Sequence, residues 1–428
     1  METNYLDILL IIVFLLNIIV FCSLKYDILE PAVLYNSTTL FSVLLAFLNK
    51  DVWNLRIGLF TFLMVVSSMI SVSIGAIYVN RFSNNALKSR SVDQKMEIIS
   101  NKSLIFICSV MLFFLYQNFN DLWKMSLELG NNEGIFNIIK TIRYPLERGD
   151  VVFSRWIVYR NIVAQVLGFL SVFLFLKIAV FKGIYKFQYL VPFILLIPFS
   201  LLTTGRSEFL FMIVYLVSSF STLYMYKEQQ SKIVKFKIFI VSSFVGCIFV
   251  FFFFLLGHLT GKVITDSRSP FFILSHYVGL SYPALDIFLN KPLLEDIYVG
   301  NNTFLGIYSN LKTLGFTIPE KNGLLEFTYF NGIDTNVYSV LRRYYTDFGF
   351  IGSNCFLMLI GIIYSYSYHY CLKNLGSITT SLYCMHIGTI IMAFHFSIPL
   401  GDIISSVFLY KIVLLNLAYI CFVKKSYD

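Results

Sequence analysis

The sequence predicts an all-α protein threaded repeatedly through a membrane, and three observations lead to that fold class. Of its 428 residues 57% are hydrophobic and 13% charged, where a soluble domain carries roughly 25% charged residues. The mean hydropathy is +0.74. The apolar residues also gather in runs of about 20, the length a helix needs to cross a hydrocarbon core of about 30 Å. The net charge of +9 therefore reads as loop charge beside anionic lipid and not as a nucleic-acid footprint.

Runs near 6–24, 32–48, 56–79, 103–119, 157–180, 187–204, 207–226, 236–257, 349–370, 378–396 and 402–423 give about eleven spans (10–12) in a single polytopic domain, 1–428. The first run lacks a basic n-region and a small-residue cleavage site, so it reads as a retained helix. The second, after Glu30-Pro31, is short. Between the third and fourth, 80–102 carries Arg81, Lys88, Arg90, Lys95 and Lys102. Lys182 and Lys186 follow the fifth. The sixth and seventh lie in one nearly unbroken apolar stretch, Tyr189 to Tyr226, interrupted only at Thr203-Thr204-Gly205-Arg206-Ser207-Glu208. As a single helix that stretch would be roughly 55 Å long, far too long for one crossing. The interruption must be a turn. Lys227, Lys232, Lys235 and Lys237 come after the seventh span, and Lys424 and Lys425 after the last. With eleven spans all these lysine-rich segments share one side, which the positive-inside rule makes cytoplasmic.

The opposite side then receives the turn at Arg206 and two long loops, 120–156 and 258–348. Within the second loop, 271–290 is long enough to span, but His276, Pro283 and Asp286 favour a surface-lying or re-entrant helix. Six of the seven cysteines fall in apolar runs and Cys371 lies just past one, so neither a disulfide framework nor CxxC metal spacing is present.

Polar chemistry is concentrated on this outer face, whereas a transporter keeps it near the bilayer midplane. The outward arginines are Arg143, Arg148, Arg155, Arg206, Arg268, Arg342 and Arg343. A planar guanidinium suits phosphate oxygens, and Arg206 stands beside a helix start, where free N–H groups favour an anion. A membrane-anchored substrate met on this face would be a lipid phosphate. Loop tyrosines and asparagines, Asn336 and Tyr338 among them, suit sugars. Each arginine also has a bland reading as an interfacial anchor, and Arg148, between Glu147 and Asp150, reads as a solvated cluster. The candidate bases are His258, His276, His395, Asp334 and Asp347, the last also a possible N-cap for the ninth span. Lys411 sits mid-span, a functional position by default, with no partner in the sequence.

The hairpin "LLTTGRSEFLF" (201–211) resembles the turn of Wzy-type O-antigen polymerases, the oligosaccharide repeat unit polymerases. "NNTFLGIYSNLKTLGF" and "DTNVYSVLRRYYTDFGFIG" (334–352) look like the end of that family's large outer loop. Arg268 and Gly279 have the Arg-x10-Gly spacing of its outer loops, a spacing that composition alone also produces. The resemblance implies a GT-C-like glycosyltransferase of the bacterial cytoplasmic (inner) membrane. It would join undecaprenyl-pyrophosphate-linked oligosaccharide units at the extracytoplasmic face, working with a chain-length regulator and a flippase. Carried onto this chain, the resemblance implies a catalytic set of Arg206, Arg268 and Arg342 with His276 or Asp347 as base. Arg143, Arg155, Arg343, Asn336 and Tyr338 would bind substrate. The donor carries its own leaving group, so no cofactor is expected, and neither GxxxxGK[ST] nor an outer DxD occurs. An O-antigen ligase-like transferase would share these features. A lipid-linked oligosaccharide flippase would instead need charges lining a central cavity, for which Lys411, His386 and the polar midspan serines are the only signs. Nothing positive in the sequence favours a sensing or scaffold protein.

Overall fold

The computed structural model describes residues 4–83, 96–132, 134, 137–148, 150–203, 206–228, 231, 233–243, 245, 270–291, 299–317, 325–394 and 398–426. The chain is mostly helical, and among the described residues eight helices are long and apolar enough to cross a membrane. In chain order the main elements are α1 (Leu6–Ser23), α2 (Pro31–Leu48), α3 (Leu59–Ser83), β1 (Met96–Ile99), α4 (Asn101–Glu128), α5 (Ile138–Arg148) and α6 (Arg155–Lys182). A broken helix, α7 (Phe187–Leu202), follows, with Pro192 in its first part and Pro198 in its second. Then come α8 (Arg206–Lys227), α9 (Pro270–Gly279), α10 (Ser281–Leu289), α11 (Leu305–Thr313), β2 (Thr328–Phe330) and β3 (Ile333–Thr335). The chain closes with α12 (Leu341–Asn374), α13 (Ser377–Ile391), α14 (Pro399–Ile403), α15 (Ser406–Phe422) and β4 (Val423–Ser426).

Local chemistry sets several of these boundaries. Pro31 opens α2, where its missing N–H would be unpaired in any residue. The Ser100 and Ser154 hydroxyls accept from the N–H groups of Ser103 and Ile157, capping α4 and α6. Gly183, at φ 69°, ends α6 in the left-handed conformation that favours glycine. Three boundaries differ from the sequence expectation. α4 continues to Glu128, well past 119, because its amphipathic final turns bury Leu122 and Ser126. α6 begins at Arg155, which is therefore helical. α12 begins at Leu341 and is interrupted at Gly349 (φ 65°), so Arg342, Arg343 and Asp347 stand on a helix instead of a loop.

The chain folds as two compact units, each discontinuous in sequence. The first comprises Met1–Lys88, Arg268–Lys373 and His386–Phe408. Here α3 and α12 cross with backbones touching: a Cβ on Gly75 would lie 2.3 Å from the Met358 carbonyl oxygen, and one on Gly361 2.2 Å from that of Val72. Small residues at such a crossing let apolar helices pack where no hydrophobic drive separates them from lipid. α1 leaves Ile8, Ile11, Phe14 and Ile19 exposed, a face suited to acyl chains. The segment 271–289 is bent at Leu280. Phe272 meets Trp53 at 5.4 Å, just after α2, and Asp286 accepts from Gly58 N–H (2.8 Å) and the Thr61 hydroxyl at the start of α3. The bend lies deeper, where the Ser42 hydroxyl donates to the Val278 carbonyl at 2.6 Å. Both ends therefore sit at the same end of the α2–α3 hairpin, and α9–α10 enters and returns.

The second unit comprises Ser89–Ser267, Asn374–Met385 and Leu409–Asp428. Its centre is α6, most of whose side chains are buried. At one end β1 pairs antiparallel with β4, Met96 opposite Ser426. The Tyr189 ring reaches the same strand, accepting from Ile99 N–H at 2.8 Å and donating to its carbonyl at 2.7 Å. Lys177, near the end of α6, meets Glu97 at 3.1 Å and Ser377 at 2.8 Å, and Tyr419 donates to Glu97 at 2.7 Å. Burial works to raise the Glu97 carboxyl, but Lys177, Ser377 and Tyr419 outweigh it and hold the group below its ordinary range. The turn at Lys182 and Lys186 and the tail at Lys424 and Lys425 thus share one end of this unit, as the eleven-span topology requires.

Candidate functional site

The opposite end of the second unit is built from α5, the start of α6 and the break between α7 and α8. α5 is amphipathic: Ile138 and Ile142 are buried against Leu122 and Ile157, with Leu146 and Leu202 packed alongside. That face docks α5 across the ends of α4, α6 and α7, and it carries the buried Arg143. Arg155, exposed, is the first residue of α6. Arg206 is the first residue of α8, four residues past the end of α7. Its side chain, with Thr204 and Gly205, lies outside the described residues.

At this end, between α6, α7 and α8, is a small cavity of about 30 Å³ whose lining includes the polar side chains of Asn161, Gln165, Ser200, Thr203 and Glu208 together with Leu196, Phe199 and Met212. A space of this size holds one or two waters and offers them polar partners. Gln165 Nε2 donates to Glu208 Oε2 at 2.6 Å. Lys411, unpaired in the sequence reading, has Glu208 as its electrostatic partner across 203 positions of chain. Nearby, Asn118 Nδ2 donates to Asn161 Oδ1 at 2.7 Å, and Arg160 is bonded to Asp121. A polar track therefore runs along α4, α6 and α8, inside spans that composition alone marks as apolar.

The first unit holds a second cluster. The Arg342 guanidinium is 4% exposed and lies between two rings, 4.3 Å from Phe288 and 4.1 Å from Tyr338. Its Nη2 bonds to Glu326, while Nη1 has no partner among the described residues. Burial pushes the Glu326 carboxyl up, but Arg342's hydrogen bond and charge overcome this and leave it below its ordinary value. Burial raises the Tyr338 phenol. Arg343 Nη1 donates to the Asn302 carbonyl at 3.4 Å, with Asp347 and Asp402 as opposite charges. Asn336 is half-buried between β3 and α12.

Of the three base candidates among the described residues, Asp334 is exposed on β3, and the other two are engaged structurally. Asp347 accepts from Asn302 N–H (3.1 Å), Asn302 Nδ2 (2.8 Å) and Thr303 N–H (2.6 Å). It fastens the 301–303 turn to α12 and does not cap the ninth span. His276 Nε2 faces the Asp334 carbonyl oxygen at 2.7 Å. A carbonyl only accepts, so that nitrogen carries the proton. Arg268, His258 and His395 lie outside the described residues.

The sequence-derived set thus divides, with Arg143, Arg155 and Arg206 at one end of the second unit and Arg342, Arg343, Tyr338, Asn336, His276 and Asp347 in the first. Sequence reasoning missed Phe288 and Glu326 as partners of Arg342, and Gln165 and Asn161 as partners of the Arg206 end. An amide among apolar residues on α6 was the available signal for the latter pair. No protein-family model, no curated protein and no solved structure matches this chain.

Proposed function

We propose that the chain is a GT-C-like membrane glycosyltransferase that polymerises oligosaccharide repeat units carried on a lipid pyrophosphate, at the extracytoplasmic face of a bacterial cytoplasmic membrane. The observation that carries this reading is that Arg143, Arg155 and the helix start at Arg206 stand at the end of the second unit away from its lysine-rich turns, the end that also holds the cavity bearing Glu208. The chemistry needs two things: positive charge where the pyrophosphate departs and a base for the acceptor hydroxyl. Arginines at a helix start suit the first. The acceptor oxygen would form its bond to the anomeric carbon as the carbon–oxygen bond to pyrophosphate breaks, the electron pair leaving with the lipid pyrophosphate.

A second reading, a flippase for the same lipid-linked unit, is favoured by the Glu208–Lys411 pairing inside the spans, since ionisable residues within spans mark transport paths as well as active sites. A gel of surface polysaccharide from a strain lacking the gene separates the two. Loss of polymerisation leaves core plus a single repeat unit and no ladder. Loss of flipping removes even the single unit, with the lipid-linked precursor accumulating inside, and that pattern would overturn the polymerase reading.

A further inference from the structure

We infer that Glu208 is the base that takes the acceptor hydroxyl proton, a role that rests on the glycosyltransferase reading. Three observations in the second unit and one in the first point to it. Glu208 stands in the first turn of α8, two residues from Arg206, so leaving-group stabiliser and base would come from one rigid element. Its side chain is partly exposed and lines the polar cavity. One oxygen accepts from Gln165 Nε2 at 2.6 Å, fixing the carboxylate plane, and Lys411 supplies the counter-charge. Two rivals are committed elsewhere: Asp347 receives two backbone N–H groups and an amide, and His276 Nε2 is a donor, while Asp334 stands exposed on β3 in the first unit and not with Arg206 in the second.

The cavity of about 30 Å³ is too small for a sugar and suffices for one water, which Asn161, Gln165 and Thr203 can hold beside Glu208. The proton of the acceptor hydroxyl passes to that water as the water's own proton passes to Glu208. The freed electron pair on the acceptor oxygen forms the new glycosidic bond, and the pair of the breaking bond leaves with the lipid pyrophosphate. Glu208 returns its proton to solvent after release. No oxidant, metal or nucleotide enters the balance.

The bland alternative makes Glu208 and Lys411 a structural ion pair, and a double substitution separates the two. Replacing both members of an ion pair within spans by neutral side chains is often tolerated, whereas removing one strands a charge. The assay uses full-length protein in proteoliposomes with lipid-linked repeat unit extracted from the null strain. For Glu208→Gln and for Glu208→Gln/Lys411→Met, kcat should fall by about 100-fold or more with KM little changed, the range of general-base loss. Glu208→Asp should retain activity with a displaced acidic limb in its kcat–pH profile. Wild-type kcat in the double variant would overturn the inference, because the carboxylate would then matter only as a partner for Lys411. An acidic limb unmoved in Glu208→Asp would overturn it as well, and this measurement needs no unstable variant. Wild-type protein that elongates nothing would instead remove the underlying function, a result read before any variant is compared.

Discussion

At Arg342 a flat guanidinium lies between the Phe288 and Tyr338 rings with one edge on Glu326, and all three contacts use its planarity. Lysine keeps the charge but loses the double stacking and the fork. Arg342→Lys should therefore lower the melting temperature in detergent by an amount equivalent to about 1–2 kcal/mol, while Glu326→Gln, on the half-exposed side, should do less. A lysine variant as stable as wild type would show that charge alone holds this cluster. The same logic at Arg206 bears on function. Arg206→Ala should abolish the polysaccharide ladder at normal membrane level and Arg206→Lys should rescue it poorly, whereas a mere interfacial anchor would be replaced well by lysine. Residue types were legible in the sequence here, and residue partners were not. That an arginine near a helix start suits an anion follows from local chemistry. That Lys411 answers Glu208, or that Asp347 serves the 301–303 turn, depends on contacts between segments far apart in the chain.

Among the elements, the long apolar helices were readable because run length and bilayer thickness are the same physical quantity. The α12 boundary was less so: Leu341–Phe348 mixes arginine, tyrosine and aspartate, hides its helical phase and breaks at Gly349. The re-entrant course of α9–α10 was one of two readings until Asp286 was seen to bond to Gly58 and Thr61. Nor did the sequence distinguish the glycines of the α3–α12 crossing from others. Gly361→Ala should be destabilising by about 1–3 kcal/mol, the usual range for overpacking, since its Cβ would fall 2.2 Å from the Val72 carbonyl oxygen. Thermal unfolding in detergent checks it, and an unchanged melting temperature would mean that the helices do not touch there. The β1–β4 end makes a pH prediction. Glu97 is held below its ordinary range, so its stabilisation is present at neutral pH and is lost as pH falls through that lowered value. The melting-temperature gap between wild type and Glu97→Gln should stay constant from pH 8 down to the ordinary carboxylate value, shrink as pH falls further, and be closed below the lowered value. A gap that closes near neutrality would contradict the Lys177 pairing.

For the molecule as a whole, loop charge assigned the sides, and the second unit's lysine-rich turns meet at one end of it. Cysteine at the exposed Val152 should label with an impermeant thiol reagent in intact cells, while cysteine at Lys424 should label only after permeabilisation, both in a background without native cysteines. The reverse pattern would put Arg143, Arg155 and Arg206 on the cytoplasmic side. The division into two units, and with it the separation of the candidate residues into two clusters, was invisible in the sequence because each unit is assembled from three separate segments.

Reconstitution would show whether this chain joins lipid-linked saccharides as proposed. Purified full-length protein in proteoliposomes, given only lipid-pyrophosphate-linked repeat unit, should produce a ladder of longer lipid-linked chains and release free lipid pyrophosphate, one equivalent per linkage formed. Movement of the unit across the bilayer with no elongation and no pyrophosphate release would contradict the account.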